Sequence, residues 1–144
     1  MGERMPKVEL AARNTELVRM FSAFADRPSE DRLKIYIEET AQYSWPVFVK
    51  AVREATRNHM ENMAPSVGKI RERAATIAHQ VRQTVESYAP LGIENEDPEV
   101  GLRILKQGRA RIEFQIQDKG MKMMMIDILD ARIARIEEPK QLKE

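Results

Sequence analysis

"RARIEFQIQDKG", residues 109–120, decides the fold class. Its apolar residues Ala110, Ile112, Phe114 and Ile116 alternate with polar neighbours, the period of a half-buried strand. Turning at Asp118-Lys119-Gly120 into "MKMMMIDI" (121–128), the stretch reads as a β-hairpin. It also reads as helix. Leu105, Ile112, Ile116, Met123, Ile126 and Ile133 stand 7, 4, 7, 3 and 7 residues apart, on one helical seam. The flanks favour helix. Asp97-Pro98 offers an N-cap followed by a first-turn proline, and "LDARIARIEE" (129–138) keeps helical spacing. Gly120 is then a C-cap between two helices or a weak point within one. On this reading the chain is all-α.

Working back from that region, "SYAPLGIENEDP" (87–98) is polar and acidic and reads as a connection. Before it, Val67, Ile70, Ala74, Ile77, Ala78 and Val81 recur at helical spacing. That helix has a sharp start. In "MAPSVGKIRERA" (63–74) Pro65 stops the preceding helix, and Ser66 is placed to cap the next one. Two further proline breaks repeat the device. Pro28 with Ser29 separates a helix over 8–25 from one carrying Leu33, Tyr36, Ile37 and Ala41. Ser44 and Pro46 in "YSWP" open a third helix with Val47, Phe48, Ala51, Val52 and Ala55 inward. The expected architecture is a small four-helix bundle over 1–88 and an acidic linker over 89–98. A C-terminal helical segment over 99–144 completes it, either a pair or one long interrupted helix.

Composition bounds the function. The chain of 144 residues is 33% charged and 42% hydrophobic, values suited to a folded, water-facing protein with a core. No run approaches the roughly 20 apolar residues a membrane helix needs. The first ten residues, "MGERMPKVEL", lack the apolar core of a secretory signal, and Pro6 spoils a myristoylation pattern at Gly2. With no cysteine there is no disulfide, thiolate metal site or Cys nucleophile. The expected compartment is the cytoplasm.

Chemistry-bearing patterns are sparse. His59 and His79 stand on separate helices without a carboxylate set at metal spacing. Glu38-Glu39 and Glu137-Glu138 are adjacent pairs that point apart on a helix, unsuited to an acid/base couple. The six glycines are scattered, so no phosphate-cradling loop is present. Capping accounts for Ser29, Ser44 and Ser66. No catalytic residue, metal or cofactor is expected.

What remains is surface. Net charge is only +1, yet seven basic and three acidic residues lie between Pro46 and Arg82. Lys50, Arg53, Arg57, Lys69, Arg71 and Arg73 are candidates for contact with nucleic-acid phosphates. Met121, Met124, Met125 and Ile128 are candidates for partner binding, because methionine is soft and adapts to varied surfaces. Ordinary core filling, or a homo-oligomeric seam through the C-terminal helices, competes with that reading. Trp45 reads as a core anchor ahead of a partner hot spot.

"LVRMFSAFADRPSEDRLKIYIEETAQYSWPVFVKAVREATRN" (17–58), continued by "MAPSVGKIRERA", resembles the N-terminal helical domain of phage replicative-helicase loader/inhibitor proteins. The resemblance rests on Pro28, Tyr36, Ala51, Ala55, Pro65, Ser66 and Ile70, over about 60 residues. It implies a protein without catalytic residues that binds a hexameric helicase and holds or delivers it. The competing classes are a nucleic-acid-binding helical module and a homo-oligomeric assembly protein.

Overall fold

The computed structural model describes residues 5–59 and 62–142, with side chains as far as 137. Among them are seven helices and no strand, so the all-α class holds. They are α1 (Lys7–Ala23), α2 (Glu30–Thr40), α3 (Trp45–Asn58), α4 (Val67–Tyr88), α5 (Ile93–Glu96), α6 (Pro98–Gln115) and α7 (Lys119–Leu142). The chain divides into two compact units, Met1–Ala78 and His79–Glu144, with the division inside α4.

In the first unit the helix boundaries are set by local chemistry. Ser29 Oγ accepts from the Arg32 amide at 3.1 Å, and Glu30 and Asp31 favour the first turn of α2. Ser66 Oγ accepts from the Lys69 amide at 3.3 Å and starts α4. Ser44 takes the N-cap position of α3, but its hydroxyl accepts no backbone N–H there. α1 ends without glycine: the Asp26 amide reaches Phe21 O and the Ala25 amide reaches Ser22 O, both at 3.0 Å. This paired closure puts Ala25 at φ 54°, a conformation glycine usually supplies.

α1 packs on both α2 and α3. Leu17, Phe21, Phe48, Ala51 and Ile70 are fully buried, and Phe21 meets Tyr36 edge-on at 5.2 Å between ring centres. The Tyr36 hydroxyl donates to Pro65 O at 2.9 Å. That bond fixes the break before α4 to the middle of α2. Trp45 is half-buried, its ring 6.2 Å from that of Phe48.

In the second unit the disputed stretch is helical. α6 and α7 form an antiparallel pair, because Lys106 meets Glu137 at 3.3 Å while Arg109 meets Asp130 at 2.7 Å. The turn is 116–118, two residues before the position expected from the hairpin reading. Asp118 Oδ1 accepts from the Met121 amide at 3.0 Å, leaving Gly120 inside the first turn of α7 rather than at a C-cap.

This turn resets the helical phase, so a seam counted across it fails in part. Leu105, Ile112 and Ile133 are buried as expected, but Met123 is exposed and Ile116 and Ile126 are half-buried. Met124, Met125 and Leu129 take the inner positions of α7.

The expected linker over 89–98 carries structure of its own. Ala89 is fully buried and α5 packs on α6. Gly101 makes that packing close: a Cβ there would lie 2.7 Å from Glu94 Cα. Asp97 Oδ1 then accepts from the Glu99 amide at 3.0 Å, and Pro98 opens α6 as the sequence suggests.

Candidate functional site

The six basic candidates all lie on the first unit, but the structure does not gather them into one cationic stripe. Lys50 and Arg73 share Glu54, at 3.7 and 3.5 Å. Arg71 bonds Glu39 at 3.0 Å, and Lys69 Nζ stands 3.5 Å from His59 Nδ1. Arg53 bonds Glu16 at 2.8 Å. Hydrogen bonding and charge from Glu16 both hold the Arg53 guanidinium more firmly protonated than usual. Arg57 makes no ion pair among the described residues, and it is exposed.

Two of the clefts on this unit, among the described residues, lie beside these cations. The larger, of about 420 Å³, lies between the last turn of α3 and the first half of α4, lined by Lys69, Arg73 and Glu72 among others. The smaller, of about 280 Å³, lies between α1 and α3. Met20, Ala23 and Val52 line it with Glu16, and Arg19, Arg53 and Arg57 border it. Arg53 and Arg57 reach it together because they sit four residues apart, one above the other on α3.

The methionine candidates separate. Met124 and Met125 are buried in the core of the second unit, so they fill it and leave no docking surface. Met121 and Ile128 are half-buried. The large apolar side chains that do face outward are Phe114, 91% exposed, and Met123, 59% exposed. Both lie within two turns of the 116–118 turn. Sequence reasoning passed over Phe114, although a signal existed: once Ile112 points inward on a helix, a residue two further on points nearly opposite. The helical seam counted from Leu105 to Ile133 skips Phe114, and its outward direction went unread.

Two buried arginines were also missed. Arg13 donates to Thr40 O at 3.2 Å and Tyr43 O at 2.6 Å, with its guanidinium 4.8 Å over the Phe48 ring. Arg132 donates to Ala89 O at 2.9 Å and Pro90 O at 2.8 Å, and grips Glu94 at 2.7 and 2.8 Å. Arg132 holds the Glu94 carboxyl down to about 2. Helix ends leave carbonyls without partners, and these side chains supply the donors. Both arginines therefore belong to the scaffold.

Among the described residues no three His, Asp or Glu side chains stand together as a metal site, and no helix is long and apolar enough to cross a membrane. No protein-family model matches the chain, and neither a curated protein nor a solved structure does.

Proposed function

We propose that this chain is a non-enzymatic helical protein that acts by binding another protein in the cytoplasm. In its sharpest form it loads or inhibits a hexameric replicative helicase. The observation that carries the binding reading is Phe114, set almost fully in solvent two residues before the α6–α7 turn. Isolated apolar side chains on a surface are ordinary, but a Phe this exposed at the end of a helix suits an aromatic anchor for a partner.

The helicase form rests on the resemblance, and its residues now have physical roles. Tyr36 is buried and bonded to Pro65 O, Ala51 and Ile70 are fully buried, and Ser66 is a cap. The nucleic-acid reading draws less support, because four of its six cations face carboxylates across 4 Å or less. The homo-oligomer reading also loses its seam, since Leu105, Ile112 and Ile133 are buried within a single chain.

The test is capture of partners from bacterial lysate by tagged wild-type protein and by Phe114→Ser. Recovery of the replicative helicase by wild type, with loss by the variant, is the expected result. Equal recovery by both would move the docking surface elsewhere. Recovery of nucleic acid alone would overturn the reading.

A further inference from the structure

We infer that the cleft between α1 and α3 binds an acidic, amphipathic helix of a partner protein. The inference rests on the protein-binding reading and names the chemistry of one partner segment.

The cleft combines two properties. Its floor is apolar, made by Met20, Ala23 and Val52. Its border carries three guanidiniums, Arg19, Arg53 and Arg57, against one carboxylate, Glu16. Glu16 is already satisfied within the chain. Its side chain is only 8% exposed, and it accepts from Arg53 at 2.8 Å and Arg19 at 3.3 Å. One buried carboxylate thus positions two arginines whose outer parts remain in water, and the border keeps an excess of positive charge. Arg57 adds a third cation with no ion pair among the described residues. Arginine forks match carboxylates in geometry as well as charge.

The spacing narrows the occupant further. Arg53 and Arg57 stand one turn apart on α3, so their Cβ atoms are about 6 Å apart. Glu or Asp residues one turn apart on a facing helix repeat that distance. An apolar side chain between them would enter the cleft of about 280 Å³ and cover the floor. A nucleic-acid strand fits less well. Among the described residues no aromatic side chain lines the cleft to stack a base, and the cations Lys50 and Arg73 are engaged with Glu54.

The experiment is fluorescence anisotropy on the full chain with three labelled probes. These are a synthetic helical peptide with a leucine flanked by glutamates at one-turn spacing, the same peptide with Gln for Glu, and oligo-dT. Saturable binding of the Glu peptide is expected, at least about tenfold tighter than the Gln peptide. Arg57→Glu should weaken it by at least about tenfold. Because Arg57 makes no ion pair among the described residues, its circular dichroism and urea midpoint should match wild type. Arg57→Gln should lie between the two.

Equal binding of both peptides, wild-type affinity in Arg57→Glu, or no saturable peptide binding would each overturn the inference. Binding of oligo-dT in place of the peptide would assign the cleft to phosphate instead. Each of these outcomes leaves the Phe114 reading to its own capture experiment.

Discussion

In the first unit Arg13 reaches from α1 to carbonyls at and just beyond the end of α2. In the second, Arg132 reaches from α7 to carbonyls just beyond α4. Both side chains are buried, and both donate to carbonyls where a helix ends and its regular bonding stops. The carboxylates differ. Glu9, four residues before Arg13 on the same helix, is a third exposed and bonds it at 2.9 Å. Glu94 lies 38 residues from Arg132, is more enclosed, and accepts from two of its nitrogens. Arg13 is therefore anchored from within its own helix, while Arg132 joins three segments: the end of α4, α5 and α7. The burial is similar, but the number of segments held is not.

The sharpest break of that comparison is Arg132→Met. It leaves Glu94 without its cation and two carbonyls without donors, and should cost about 3–5 kcal/mol in urea denaturation. A loss under about 1 kcal/mol would show that the second unit does not depend on the clamp.

Acid should remove part of the same energy. Glu94 titrates at about 2 in the folded chain against an ordinary 4.5. A carboxyl with a depressed folded pKa stabilises fully above its unfolded value and loses that contribution as pH falls toward the folded one. The stability from Glu94 is thus present above about pH 4.5 and lost between there and about pH 2, by about 3 kcal/mol. In Arg132→Met that part of the acid dependence should disappear, so the two curves of urea midpoint against pH should converge on acidification.

Arg13→Met should cost less, about 1–2 kcal/mol. Its partner Glu9 can turn to water, the Thr40 carbonyl keeps the Tyr43 amide at 3.1 Å, and the Tyr43 carbonyl is what loses its donor. Trp45 is the only tryptophan and lies in the first unit, so its fluorescence in urea reports on this variant directly. A loss equal to that of Arg132→Met would mean the long-range carboxylate contributes nothing beyond the local one.

Neither arginine was legible in the sequence, and the reason is distance. Arg13 meets Thr40 across 27 positions and Arg132 meets Ala89 across 43, so no local window contains both partners. Nothing in the local sequence sets either arginine apart from the chain's other basic residues. The stretch 89–98 read as a linker for the same reason, since what holds Glu94 arrives from α7. Helix boundaries were legible where their cause is local: Ser29, Ser66 and Asp97-Pro98 bond or adjoin residues within three positions. The candidate sites divide likewise. Composition located a methionine cluster, but burial turned on the phase of α7, and the 116–118 turn set that phase. Arg53 and Arg57 were visible as cations. Their cleft was not, because Glu16 and Arg19 come from α1.

The same contrast between near and distant partners can be sharpened at small amplitude with two serines. Ser66 and Ser44 each precede a helix and each read as a cap. Only Ser66 places its hydroxyl on a backbone amide, that of Lys69. Ser66→Ala should therefore cost about 1 kcal/mol, and Ser44→Ala no more than a few tenths. The difference is readable as a shift in Trp45 fluorescence midpoint, since both serines lie in the first unit. Equal costs would mean that helix starts here are set by Pro46 and Pro65 alone, with no share for the hydroxyl. A cost at Ser66 well below that of Arg13→Met would place the larger share of this unit's polar stability in bonds that no local pattern reveals.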